Sequence, residues 1–199
     1  MTPELPSENT ELGLEDYADS IDRALGAADD VVLVPHSLGG LVGPVVAARR
    51  PLRALVYLAA LVPEPGLSFS EQLSAETEPV LLFEGGRMVD DQGRSHWPDP
   101  DATARIMYPD LSPEDARWAA ERLGPQAQRS QGEPSPGPPP GLRVGSIIGA
   151  NDRVLSPSWS RRVARERLGV EPVELPGGHF AMITHPEPLA DALAQLDSE

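Results

Sequence analysis

The amino-acid sequence predicts an α/β protein with a mainly parallel sheet flanked by helices, and three observations carry that prediction. Short apolar runs alternate with segments of helical periodicity along most of the chain, the pattern of strands joined by crossover helices. Ala54 to Leu61 is apolar almost without interruption, as expected of a strand covered on both faces. Val31-Val32-Leu33-Val34 stops at Pro35-His36-Ser37 and continues into Leu38-Gly39-Gly40 and a further apolar segment, which reads as a strand turning sharply into a helix.

The elements follow in order. Leu12 to Leu25 carries apolar residues at helical spacing and ends near Gly26, so it reads as a helix packed on the sheet. Val31 to Val34 is a strand, Leu41 to Ala48 a helix and Ala54 to Leu61 the next strand, with Pro63-Glu64-Pro65-Gly66 marking its exit. Over residues 67–123 the periodicity gives way to short helical pieces, notably Asp101 to Met107 and Pro113 to Leu123. Residues 124–141, rich in proline, glycine and glutamine, read as a flexible surface loop. Arg143 to Gly149 is then a strand, Pro157 to Leu168 a helix, Val170 to Leu175 a strand and Pro188 to Leu196 a final helix. A chain of 199 residues, 40% hydrophobic, suffices for one well-buried core, so a single domain over 1–199 is expected.

Composition excludes several classes of function. The 31 acidic residues outweigh 16 basic ones and give a net charge of −15, which repels phosphate backbones and anionic membrane surfaces, so neither nucleic acid nor membrane is an expected partner. Without cysteine there is no disulfide scaffold and no thiolate metal site. The acidic, polar N-terminus has no apolar signal core and no stretch is long enough to span a bilayer, which points to a soluble cytoplasmic protein. The four histidines form no metal-ligand pattern, since His179 and His185 are too far apart for H-E-x-x-H, and no phosphate-binding glycine loop occurs. Neither a metal nor a cofactor is expected.

The chemistry concentrates at three residues. Ser37 stands at the strand-to-helix turn, where a side chain projects clear of the backbone and the N–H of the next residue, Leu38, faces a reacting carbonyl. Gly145 to Ala150 is an apolar strand running into Asn151-Asp152, and Val173-Glu174-Leu175 is a strand followed by Pro176-Gly177-Gly178-His179. The chain order serine, aspartate, histidine is one of the three known orders of a nucleophile, base and orienting acid. Each residue has a plainer reading: Ser37 or Asp152 as a helix cap, His179 as a turn residue. Asp110, Asp115 and Glu174 compete as the acid, although the strand-end position favours Asp152. His36 reads as a packed neighbour of the turn that can also touch substrate, and His96 with Trp97 can line a pocket or belong to a surface loop.

With these residues in place, the chain resembles the α/β-hydrolase superfamily, and within it the branch of methylesterases and hydroxynitrile lyases. The resemblance is carried by Leu14-Glu15-Asp16-Tyr17-Ala18, the Ser37 elbow, Ala54 to Gly66 and the segments around Asp152 and His179. It implies an esterase cleaving a small, largely apolar carboxylic ester, with Ser37 as nucleophile, Leu38 N–H in the oxyanion hole and Asp152 and His179 completing the triad. It also implies that residues 67–123, with His96 and Trp97 among them, form a small helical cap. A hydroxynitrile lyase of this branch uses a cap lysine, and the chain has none; Arg87 or Arg105 would have to substitute. The start Met1 to Pro6 resembles the segment that follows the fourth strand of the superfamily, so the chain reads as N-terminally truncated relative to it. The His-Gly loop that donates the second oxyanion N–H is then missing, and the elbow strand is left at an edge. Pro35 also stands where G-x-S-x-G has glycine. The alternative is a ligand-binding protein that has lost turnover.

Overall fold

The computed structural model describes residues 1–83 and 86–198. In chain order its elements are α1 (Leu14–Leu25), β1 (Val32–Leu33), α2 (Gly43–Arg49), β2 (Ala54–Leu58), α3 (Phe69–Ala75), β3 (Met88–Val89), β4 (Arg94–His96), α4 (Pro100–Met107), α5 (Pro113–Ala120), β5 (Gln126–Ala127), β6 (Val144–Gly149), α6 (Pro157–Val163), β7 (Val173–Leu175), α7 (Ala181–Thr184) and α8 (Pro186–Ser198). Strands β1, β2, β6 and β7 form one parallel sheet in that order. No helix among the described residues is long and apolar enough to cross a membrane.

The sheet is covered on both sides because its central strand is apolar on both. Every residue of β2 is buried. Leu55 and Tyr57 face one layer with Leu14, Ile21 and Val46 of α1 and α2 and Trp159 and Val163 of α6. Val56 and Leu58 alternate to the other face, against Ile147, Leu175, Ala181 and Leu189. Each fully buried aliphatic side chain of this kind contributes about 1.5–3 kcal/mol. Together the two layers fix the sheet that carries the site.

The ladder of β1 is shorter than the expected Val31 to Val34 strand, yet the extended run is not. Arg53 N–H donates to Val31 C=O at 2.8 Å and Leu58 N–H to Pro35 C=O at 3.0 Å. Pro35 has no donor to offer, which an edge strand tolerates, and β1 is an edge of the described sheet. The expected helix from Pro157 splits into α6 and a π-turn over Ala164–Leu168, closed by Gly169 at φ 70°. Pro172 precedes β7, which therefore begins at Val173 rather than Val170.

The region 67–123 contains more than short helices. Three helices there begin on a side-chain cap: Ser68 of α3 accepts from Glu71 N–H, Asp99 of α4 from Asp101 and Ala102 N–H, and Ser112 of α5 from Asp115 N–H. Proline at the first position of α4 and α5 needs no donor. Between α3 and α4 run β3 and β4, which pair antiparallel with each other, and β4 pairs antiparallel with β5 on its other side. Glu76, at the end of α3, accepts from Trp159 Nε1 (2.9 Å) and pairs with Arg162 and Arg167, which ties this region to α6.

The segment 124–141, expected to be a flexible loop, makes several contacts with the rest of the fold between Gln126 and Ser135. It contributes β5, and Ala127 N–H donates to Ser7 C=O at 2.7 Å. The Glu133 carboxylate accepts from Leu14 N–H at the start of α1 (2.7 Å) and from Arg129 Nε (2.9 Å). Ser135 Oγ, buried, donates to Leu41 C=O at 2.7 Å. A carboxylate at a helix N-terminus meets both the free N–H groups and the dipole.

Candidate active site

The site is built on the turn after β1. His36 is extended, and Ser37 adopts φ 54°, a left-handed conformation in a residue other than glycine. That conformation costs on the order of 1–3 kcal/mol and persists where surroundings over-determine it. Here they do: Leu61 N–H donates to Ser37 C=O at 2.9 Å and Gly39 N–H to His36 C=O at 2.8 Å. Ser37 opens a 3-10 turn, Ser37–Leu41, that runs on into α2. Leu38 N–H lies in its first turn, where amide hydrogens have no partner within the helix. The turn closes because Gly40 has no side chain; a Cβ there would overlap the Leu61 carbonyl oxygen.

The turns after β6 and β7 deliver the other two groups. Asp152 follows β6, and its Oδ1 accepts from Val154 N–H at 2.7 Å and Leu155 N–H at 3.0 Å. Its Oδ2 is thereby aimed at His179 Nδ1, 2.8 Å away. His179 follows β7, and its Nε2 lies 2.9 Å from Ser37 Oγ. Asp152 and His179 are 4% and 2% exposed, so water does not compete for the bond between them. A carboxylate can only accept, so Nδ1 carries the hydrogen and Nε2 is left to accept from the Ser37 hydroxyl.

Ser37, His179 and Asp152 thus meet in one hydrogen-bonded chain, in a fold whose sequence matches the alpha/beta hydrolase family over residues 2–192. The chain belongs to that family. It is 31% identical over 187 residues to a carbendazim hydrolyzing esterase of Nocardioides sp. (strain SG-4G), covering 84% of this chain and 72% of that protein. A pyrethroid hydrolase from Sphingobium faniae JZ-2 superposes with a TM-score of 0.77 at 25% identity, over 94% of this chain and 78% of that one. A polyneuridine aldehyde esterase mutant gives a TM-score of 0.78 at 16% identity, over 98% and 84% of the two chains, a likeness of fold alone. The family and the α/β fold class expected from the sequence are those observed.

The other acids of this alpha/beta hydrolase are engaged elsewhere. Asp110 Oδ2 accepts from Gly178 N–H at 2.7 Å, Asp115 takes part in the Ser112 cap of α5, and Glu174 forms a two-point pair with Arg161 at 2.6 and 2.7 Å. His185 Nδ1 lies 2.9 Å from Thr184 Oγ1. None of the four reaches the His179 imidazole.

Ser37, Leu38 and His36 lie in the wall of an open cavity of about 1490 Å3 that also touches Phe83, Trp97 and Phe180. Met1 to Asn9 and the edge strand β1 line the same space. Trp97 meets Phe83 edge to face, ring centroids 5.1 Å apart. His96, expected beside Trp97 as a substrate contact, is not in this wall. Strand alternation accounts for the difference: Ser95 and Trp97 point to the cavity and His96, between them, to the other side of β4. Its Nδ1 is buried without a hydrogen-bond partner among the described residues.

His36 has a second contact. Its Nε2 donates to His179 C=O at 2.9 Å, and its ring lies beside those of His179 and Phe180. Burial, and next the adjacent His179, lower its pKa to about 3, so it is neutral at physiological pH. Sequence reasoning did not single out Phe180, Phe83 or Ser95, although each lies within a few residues of one that it did. Position beside His179 was the available signal for Phe180.

Proposed function

We propose that the chain is a serine esterase that cleaves a small, largely apolar carboxylic ester through an acyl-enzyme on Ser37. The observation that carries this reading is the continuous hydrogen-bond chain from Asp152 Oδ2 through His179 to Ser37 Oγ. The esterase and hydrolase names of the relatives support ester hydrolysis in general, and the aromatic and aliphatic side chains of the cavity suit an apolar substrate.

In this mechanism Ser37 Oγ attacks the ester carbonyl carbon while its proton passes to His179 Nε2. The carbonyl oxygen becomes an oxyanion that accepts from Leu38 N–H. Asp152 holds the resulting imidazolium in place without taking its proton. The tetrahedral intermediate collapses, the C–O bond to the alcohol breaks, and Nε2–H protonates the departing alkoxide. Water then repeats the sequence on the acyl-enzyme: His179 takes its proton, the carboxylic acid is released and Ser37 regains its hydrogen. His36, neutral and bonded to the His179 carbonyl, steadies the ring's backbone without entering the proton transfers.

The test is covalent labelling by a fluorophosphonate followed by peptide mapping. The expected adduct is on Ser37 and is absent from Ser37→Ala. Labelling of equal extent in the alanine variant would sink the assignment.

A further inference from the structure

We propose that Asp110 is a positioning residue for His179, acting through the backbone of the loop that carries the imidazole. The inference rests on the reading of His179 as the general base. Its carrier is the 2.7 Å hydrogen bond from Gly178 N–H to Asp110 Oδ2.

The loop from Gly177 to His179 belongs to neither β7 nor α7, so nothing in the regular structure fixes it. Three hydrogen bonds on three successive residues do so instead. Gly177 C=O accepts from Asn151 N–H at 2.9 Å, Gly178 N–H donates to Asp110, and His179 C=O accepts from His36 Nε2 at 2.9 Å. The first comes from the turn that holds Asp152 and the last from the residue before Ser37. Only the middle one comes from outside the sheet, from the turn between α4 and α5. The loop is therefore held from three directions, one for each partner of the triad and one from the cap.

The turn that supplies Asp110 grips both neighbours of His179. The Tyr108 ring lies against the Phe180 ring with centroids 4.6 Å apart, and Pro109 lies beside Gly178. Gly177 has φ 151°, a conformation that L side chains rarely adopt, so the loop has little stiffness of its own and needs an external anchor. A carboxylate accepting a backbone N–H is among the stronger hydrogen bonds a protein makes. Both imidazole nitrogens must stay within hydrogen-bond reach of their partners, and a displacement of about 1 Å can cost on the order of 100-fold in rate. Releasing Gly178 frees the ring to drift from Ser37, while Asp110 itself does not line the cavity, so its loss removes no substrate contact of its own.

The prediction is a split between turnover and binding. With p-nitrophenyl acetate, Asp110→Ala should lower kcat by about 10-fold or more while KM stays within about twofold. Asp110→Asn, which keeps an oxygen to accept from Gly178 N–H, should recover kcat to within about threefold of wild type. An alanine variant with wild-type kcat would overturn the proposal, as would a folded asparagine variant no better than alanine. Ser37→Ala, measured alongside, separates the two failures: wild-type activity that survives it refutes the triad reading and not the anchor. Should Asp110→Ala not fold, hydrogen exchange of the Gly178 amide in the wild-type protein decides the matter. Slow exchange supports the anchor and exchange as fast as an exposed amide overturns it.

Discussion

His36 Nε2 donates to the carbonyl oxygen of His179 at 2.9 Å, so the residue before Ser37 holds the backbone of the residue whose side chain reaches Ser37. The two rings lie 4.8 Å apart, and burial of the His36 ring, with His179 second, has a cost in acid. The folded-state pKa of His36, about 3, lies below the ordinary 6.5. Between those values the unfolded chain binds a proton that the folded one does not, so stability rises with pH across that window. The contribution is complete above about pH 6.5 and is lost as the pH falls toward 3. His36→Gln retains an N–H donor and does not titrate. In urea unfolding it should lose less stability than wild type between pH 7 and pH 5, and equal losses in the two proteins would count against the buried neutral imidazole.

The two glycines after Ser37 are unequal. A Cβ at Gly40 would overlap the Leu61 carbonyl oxygen, whereas at Gly39 the nearest contact is Pro35 Cβ at 3.7 Å. Gly40→Ala should therefore destabilise by about 1–3 kcal/mol or prevent folding, and Gly39→Ala should melt within about 2 °C of wild type. Thermal unfolding of the pair checks the close approach of the elbow to the chain leaving β2. Equal melting temperatures would contradict it.

Trp97 and His96 should separate in binding. Trp97→Ala removes an aromatic wall of the cavity and should raise KM for p-nitrophenyl butyrate about 5- to 10-fold, the loss expected for partial burial of a ring. His96→Ala, on the other side of β4, should leave KM within about twofold. Steady-state kinetics on the two variants, with the order of effects reversed, would place the substrate elsewhere.

The sheet was legible because Ala54 to Leu58 and Val144 to Gly149 are apolar runs long enough for period and length to agree. Asp152 and His179 could be singled out as candidates because each lies in the turn that follows a strand, β6 and β7. Asp110 could not be told from Asp152 by residue type: both are acids close to His179, and only the fold decides that Asp152 meets its imidazole and Asp110 the Gly178 backbone amide. Strands β3 to β5 were hidden because Met88–Val89, Arg94–His96 and Gln126–Ala127 are too short and too polar to show a period of two. The same shortness made the facing of His96 and Trp97 unreadable, since one step of register exchanges them. In residues 124–141 the prolines and glycines dominate the composition, while the anchoring is done by Glu133 and Ser135, whose partners Leu14 and Leu41 lie far away in sequence.

The central claim is that the hydrogen-bonded chain from Asp152 to Ser37 turns over an ester. Its most direct test is hydrolysis of p-nitrophenyl acetate and butyrate by the folded 199-residue chain beside its Ser37→Ala form. The account predicts turnover in the first and a loss of about 1,000-fold or more in the second. Equal rates in the two, or no turnover from a folded wild-type chain, would contradict it.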